Sequence, residues 1–249
     1  MNKLKATLAV IVLLLIGCSK LSAQVNTFQI WLDYDHQKSM KNNWRFFSDY
    51  GLRWQSLKTG GDWYRIHARP SVGYRRSVLM DYRGGVGFFY TRYLETANQF
   101  EIRPWQGVMV NWPNFGRYRF YQYARTEQRF SRQTDAPFNF VFKLRYKLGI
   151  KIPIGNTIIE EKTYYIQSGL ELFFDLTDDN VEQSNDRVRF DAGVGYRIKE
   201  NLDIKVRYTL QQIFNNTSED LFDFATGFSQ IDHVVRITVS QTFGFDDED

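Results

Sequence analysis

Long stretches in which bulky apolar residues alternate with polar ones are the feature that most restricts how this chain can fold. In residues 139–152, NFVFKLRYKLGIKI, every second residue is Phe, Leu, Tyr or Ile, and most residues between them are charged. Residues 43–56 (NWRFFSDYGLRWQS) and 187–198 (RVRFDAGVGYRI) follow the same pattern. A period of two over such lengths predicts β-strands, and no segment after residue 23 has helical periodicity.

The predicted strands are long. Strands in soluble proteins usually have about five or six residues, whereas a tilted strand that crosses a membrane needs about nine to eleven. The length therefore favours an all-β, antiparallel transmembrane barrel over a two-sheet sandwich. The predicted strands are 27–38, 43–56, 63–77, 82–93, 99–112, 117–130, 139–153, 158–174, 186–198, 202–213 and 231–245.

The number and connections of these strands suggest one barrel domain. Single-chain bacterial barrels normally have an even number of strands. We therefore expect about 12 strands, with a further strand hidden in 213–230 or the N-terminal segment misassigned, and 10 strands as the alternative. Short turns near 41–43, 113–116 and 199–201 alternate with longer loops such as 175–186 and 215–230, as in outer-membrane barrels with short periplasmic turns.

The N-terminus has the composition of an export signal. Lys3 and Lys5 precede and overlap the start of an apolar run, LKATLAVIVLLLIG, and small residues follow it. We predict a signal peptide over residues 1–23, cleaved after Ala23, and one mature domain over 24–249. LIGC, residues 15–18, resembles a lipobox, so a lipidated Cys18 is the alternative. Together with the predicted barrel, this export signal predicts a location in an outer membrane.

Cleavage of the predicted signal peptide lowers the net charge of the chain. The whole chain has a formal net charge of +4, and loss of Lys3, Lys5 and Lys20 with the leader reduces it to +1. A nearly neutral chain gives no reason to expect a nucleic-acid partner. Cys18 is the single cysteine, so the mature chain has no disulfide.

The apolar faces of the strands carry many large aromatic residues. In a sandwich these faces would point inward, whereas in a membrane barrel they face lipid and the charged faces line the lumen. Trp and Tyr near strand ends are typical of the girdles at the lipid–water boundary. We predict that the following residues form these girdles: Trp31, Trp44, Trp54, Trp63 and Trp112.

The opposite faces carry more cations than anions. One interpretation is a filled interior, in which arginine forks pair with carboxylates. The other is an anion-selective or anion-binding pore, because rings of Arg and Lys favour anions. The two coexist if cations outnumber their partners. The predicted charge network comprises Glu101, Arg103, Arg119, Arg125, Glu127, Arg129, Arg145, Glu171, Arg189, Asp191 and Arg207.

An enzyme is the third class of function considered. A lipid hydrolase would need an accessible histidine beside a nucleophile, and His233, on an apolar face with Ser229 nearby, is the one candidate. His67 shares a face with Arg65 and Arg69, which indicates a structural role in the lumen. We predict no catalytic residues, no metal site and no cofactor.

Four segments resemble the DUF2490 family: KNNW (41–44), EIRPWQG (101–107), ARTEQRF (124–130) and FKLRYKLGIKIPI (142–154). The resemblance covers most of the mature chain. It implies an outer-membrane β-barrel of a Gram-negative bacterium with no established activity, and it supplies no catalytic or binding residues.

Together these observations predict a monomeric, porin-like barrel that contacts outer-membrane lipid and is inserted by the barrel-assembly machinery. The leading hypothesis is a narrow pore or binding module for small anionic solutes. The alternatives are a structural or interaction barrel with a plugged lumen, which would meet a partner through 175–186 and 215–230, and a lipid-modifying enzyme.

Overall fold

The computed structural model describes residues 25–56, 63–177, 185–214 and 228–244. The predicted signal peptide, both of its cleavage alternatives, Phe245 and most of the loops at 175–186 and 215–230 lie outside these ranges. The described residues contain no helix that is both long and apolar enough to cross a membrane.

Twelve β-strands occur in the described residues, and all belong to one sheet. They are β1 (Val25–Ser39), β2 (Trp44–Ser56), β3 (Trp63–Ala68), β4 (Ser71–Ser77), β5 (Met80–Tyr93), β6 (Gln99–Asn111), β7 (Arg119–Gln133), β8 (Asn139–Pro153), β9 (Thr163–Asp175), β10 (Asn185–Lys199), β11 (Leu202–Phe214) and β12 (Phe228–Phe243). The prediction of an all-β barrel with about 12 strands is therefore confirmed.

The sheet closes on itself. Strands β5 to β12 pair in sequence order, β12 pairs with β1, and β1 pairs with β2. Both β3 and β4 then lie between β2 and β5, one after the other. They occupy a single position in the wall, interrupted at Arg69 and Pro70, because proline has no N–H to donate to the neighbouring strand.

The twelfth strand therefore comes from the division of the predicted 63–77 strand. The described barrel has eleven strand positions, so two neighbours must run in the same direction. The pair β1–β12 is parallel, and all other pairs are antiparallel. The predicted antiparallel pairing therefore holds for every described pair except this closing one.

The alternation in the sequence becomes an inside and an outside face. On β2, Leu52 and Trp54 are exposed on the outer wall, while Arg53 and Gln55 point inward. On β7, Arg125 and Glu127 are buried inside the barrel and Phe130 is exposed. The arrangement is the reverse of a soluble protein, because charged side chains fill the interior and apolar ones cover the outside.

The connections differ in detail from the sequence prediction. One end of the barrel carries the turns at 40–43, 78–79, 112–118, 154–162 and 200–201, which we call the turn end. Residues 158–162 were predicted to belong to a strand, but β9 begins at Thr163. In the first turn, Asn42 (φ 58°) and Asn43 (φ 64°) adopt the left-handed conformation, which asparagine tolerates better than most residues.

The parallel closure can be tested by disulfide cross-linking. Ile30 and Val235 lie directly opposite each other on β1 and β12. In a chain that lacks Cys18, Ile30→Cys with Val235→Cys should oxidise to a disulfide, which changes gel mobility under non-reducing conditions. Neighbouring strands place the Cα atoms about 5 Å apart, within disulfide reach.

The matched control is Ile30→Cys with Ile237→Cys, which displaces one cysteine by two residues on the same face. This pair should cross-link much less. Equal cross-linking of the two pairs, or preference for the second, would contradict the observed register.

Candidate functional site

The interior of the barrel is built around Glu127, which has no exposed surface (0%). Its carboxylate contacts four arginines that come from three neighbouring strands, β6, β7 and β8. The contact distances are 3.3 Å from Arg103 Nη1, 2.5 Å from Arg129 Nη2 and 2.7 Å from Arg145 Nη1, and Arg125 forms an ion pair with the same carboxylate. Since Arg125 and Arg145 lie directly opposite each other, Glu127 offsets the repulsion between like charges on adjacent strands.

Two more glutamates extend this cluster. Arg103 also contacts Glu101, with 2.5 Å between Arg103 Nη2 and Glu101 Oε1. Arg145 also pairs with Glu171, and Arg189 Nη1 lies 3.1 Å from Glu171 Oε2. We call these residues, with Arg125, Glu127 and Arg129, the glutamate cluster. Each carboxylate in it accepts from at least one arginine, as buried charges require.

A second cluster joins the first three strand positions. Asp49 Oδ2 accepts from Arg69 Nη2 at 2.6 Å, and Asp49 Oδ1 lies 2.6 Å from His67 Nε2. Asp33 pairs with Arg236 across the parallel β1–β12 junction. This aspartate cluster therefore ties together β1, β2, β3, β12 and the Arg69 interruption.

The aspartate cluster also contains atoms that metal ions favour. Ligand atoms of Asp33, Asp49 and His67 lie within 4.8 Å of one another. The sequence prediction of no metal site did not identify this grouping, although all three residues are on inward-facing positions. Arg69 and Arg236 already place positive charge against the two carboxylates, so the arrangement fits salt bridges better than a bound cation.

Two of the cavities formed by the described residues lie inside the barrel. The larger, of about 680 Å³, opens toward the turn end, and its cations include Arg119, Lys151 and Arg207. The smaller, of about 220 Å³, contains Arg53 and Arg65 beside arginines of the glutamate cluster. The following residues line both cavities: Tyr123, Lys147 and Arg236.

Several cations in these cavities lack an acidic partner. Among the described residues, no carboxylate lies within 4.0 Å of the charged groups of Arg53, Arg65, Arg119, Lys151 or Arg207. The Nε atoms of Arg53, Arg119 and Arg207 are buried and have no hydrogen-bond partner in the part of the chain that the structure describes. The interior thus contains both paired charge and uncompensated positive charge.

Nine of the predicted network residues take part in ion pairs. Besides the glutamate cluster, Asp191 accepts from Lys147 at 2.6 Å. Arg119 and Arg207 also lie in the lumen, where they line the larger cavity, but neither has a carboxylate partner in the described chain. Arg207 donates instead to Thr238 Oγ1 at 3.2 Å.

The predicted aromatic girdle also needs correction. Trp44, Trp54 and Trp112 are exposed (45%, 47% and 50%). Trp31 is 3% exposed and lies inside, with the Arg53 guanidinium 4.1 Å from its ring. Trp63 shares the inward face with Gln55 opposite it, and the Arg65 guanidinium lies 5.4 Å from its ring.

The sequence pattern around Trp31 indicated that its side chain faces the interior. Trp31, Asp33 and Asp35 are two residues apart and so share one face of β1. Residues of that face meet lumen cations: Asp33 pairs with Arg236, and Lys205 Nζ lies 3.8 Å from Asp35 Oδ2. Grouping Trp31 with these acids would have predicted its interior position, because a large aromatic ring can stack on arginine.

The fold and its interior define a class of protein: a closed β-barrel with an apolar outer wall and an ionic lumen. The chain belongs to a family of proteins of unknown function, DUF2490, whose model matches residues 28–222. This match confirms the resemblance found in the sequence. A comparison with curated proteins gave no match.

Removal of the central carboxylate should destabilise the barrel. Glu127→Gln leaves four arginines around a neutral amide, and we expect a loss of about 3–5 kcal/mol in the free energy of unfolding. Denaturant unfolding of the refolded protein in detergent measures this change.

The control for this variant is Glu161→Gln, which makes the same change at an exposed turn residue whose ion pair with Lys162 spans 3.8 Å. Its effect should stay below about 1 kcal/mol. If the two variants have the same stability, Glu127 does not hold the cluster together.

Proposed function

We propose that this protein is a monomeric outer-membrane barrel of a Gram-negative bacterium whose interior binds small anionic solutes and passes them through a narrow pore. The observation that carries the proposal is the group of lumen cations without a carboxylate partner, which lines both cavities. Rings of Arg and Lys at close quarters favour anions over cations. The glutamate cluster has five arginines and three glutamates, so its cations are partly neutralised. The cations without a carboxylate contact in the described chain are therefore the most available to an anion.

The outer wall supports a membrane location. Leu52, Phe88, Phe140, Val194 and Val206 all expose their side chains on it. So much exposed apolar surface is unfavourable in water and favourable against lipid acyl chains. Trp44 and Trp112, at the turn end, fit one interfacial girdle. The apolar leader predicted over residues 1–23 provides the export step, and the barrel-assembly machinery would complete insertion.

A plugged structural barrel is the second candidate. The glutamate cluster favours it, because its ion pairs between strands occupy the interior beside the smaller cavity. In that case the barrel would contribute rigidity and a surface for partners rather than a path for solutes.

The enzyme hypothesis receives less support. The Tyr208 hydroxyl lies 2.6 Å from His233 Nδ1 on the outer wall. Tyrosine and histidine alone do not form a nucleophile–base–acid arrangement. The absence of catalysis stays a prediction, and His233→Ala should leave the lipid composition of the membrane unchanged.

Reconstitution into liposomes tests the proposed function. The chain without residues 1–23 is refolded into vesicles, and the flux of inorganic phosphate is compared with that of tetramethylammonium. We expect the anion to cross at least about tenfold faster, because the cationic lumen attracts anions and repels cations. Protein-free vesicles provide the baseline.

Equilibrium dialysis of phosphate against the detergent-solubilised protein separates the two candidates. Binding without flux would limit the function to a binding module. Neither binding nor flux would reject the proposal and leave the plugged structural barrel.

A further inference from the structure

The unpaired cations are connected by the register of the strands. Following residues that lie directly opposite each other across neighbouring strands gives one continuous line on the inner wall. We call it the cationic row, and its members are Arg119, Lys151, Gln167, Gly193, Arg207, Arg236, Trp31, Arg53 and Arg65.

The cationic row contains no acidic residue. It includes three pairs of like charges directly opposite each other: Arg119 with Lys151, Arg207 with Arg236, and Arg53 with Arg65. Such pairs are unfavourable on adjacent strands. Within the described chain, Arg236 is the one cation of the row with a carboxylate in contact, namely Asp33.

The cationic row lacks the carboxylate that separates two opposed arginines in the glutamate cluster. Arg125 and Arg145 also lie directly opposite each other, and Glu127 contacts both. No described side chain does the same for Arg119 and Lys151. An external anion bound between Arg119 and Lys151 would therefore take the role that Glu127 has between Arg125 and Arg145.

The row runs from one cavity to the other. Arg119, Lys151 and Arg207 line the larger cavity at the turn end. Arg53 and Arg65 line the smaller cavity. Arg236 lines both, so an anion that follows the row remains beside a cation on most strands that it passes.

The row also offers free hydrogen-bond donors. The Nε atoms of Arg119, Arg207 and Arg53, and Nε2 of Gln167, are buried without a partner in the described chain. A buried donor without an acceptor is destabilising, so a ligand that supplies acceptor oxygens would remove this cost. Two guanidinium forks and an amide in one cavity suit a tetrahedral oxyanion better than a spherical ion.

From these contacts we propose that the cationic row is the binding line and path for a phosphate group, free or carried by a small soluble solute. Entry is at the Arg119–Lys151 pair, where two adjacent cations match the two negative charges of a phosphate dianion. The cavity of about 680 Å³ leaves space for a polar body attached to the phosphate. This inference rests on the proposed function and specifies the ligand and the residues that hold it.

Two lysines of β8 provide a matched test. Lys151 and Lys143 lie on the same strand and the same inward face, but Lys143 pairs with Asp175 at 3.4 Å and lies off the row. Binding of inorganic phosphate, glycerol 3-phosphate and chloride is measured by calorimetry for wild type, Lys151→Gln and Lys143→Gln in detergent. We expect Lys151→Gln to weaken binding of both phosphates at least about tenfold and Lys143→Gln to change it by less than about twofold.

A stability measurement separates ligand binding from a structural role. Lys151→Gln removes repulsion with Arg119, so without ligand it should be at least as stable as wild type. Lys143→Gln loses an ion pair and should be less stable. A clear loss of stability in Lys151→Gln would indicate a structural lysine and would overturn the proposal.

The far end of the row is tested by Arg53→Gln in vesicles. This variant should slow phosphate flux while calorimetry still detects phosphate at the Arg119–Lys151 pair, and Arg207→Gln serves as a second binding variant. Stronger binding of glycerol 3-phosphate than inorganic phosphate identifies a carried phosphate, and the reverse identifies free phosphate.

The outcomes distinguish a failure of the proposed function from a failure of the cationic-row proposal. If wild type neither binds nor passes any anion, the proposed function itself is wrong. If it does, but chloride binds as well as phosphate or the two lysine variants behave alike, the barrel handles anions and the cationic row is not their site.

Discussion

Closure of the sheet is the constraint on which the rest of the structure depends. Once β1 pairs with β12, one face of every strand is enclosed, and the ionisable side chains on that face leave bulk water together. A buried charge is destabilising unless partners surround it. The four arginines around Glu127, and the pairs of Asp49 with Arg69 and Asp33 with Arg236, follow directly from this requirement.

Inside the described barrel cations outnumber acids, so ion pairing is incomplete and the excess charge is positive. The glutamate and aspartate clusters bind strands to one another, and further acids such as Asp81 and Asp191 pair with Arg45 and Lys147. The remaining cations line the two cavities and form the cationic row. Stability and recognition thus use largely different members of one charged surface. Residues that contact carboxylates hold the wall together, residues without such a contact in the described chain are available to a solute, and Arg236 belongs to both groups. A lumen of this kind is compatible with a filled centre and with selective binding.

Much of the fold could be predicted because the period of two is a local property of extended backbone. The alternation in 139–152 correctly separated Lys143, Arg145 and Lys147 from the residues of the outer wall. The errors arose where local pattern was insufficient. Trp31 was assigned to the outside on residue type, although its parity matched Asp33. The break at Arg69 and Pro70 and the parallel closing pair depend on how many strands complete the circle, which no single segment records.

The sequence by itself determined which residues share a face, because successive side chains of a strand must point in opposite directions. It also determined that cations outnumber acids on the inward face. Only the tertiary structure decided which charges meet. Arg119, Arg125 and Arg145 look equivalent in the sequence, yet Glu127 reaches the last two and not the first. The reason is that partners are set by the register between strands, and this register is fixed only when the whole barrel closes.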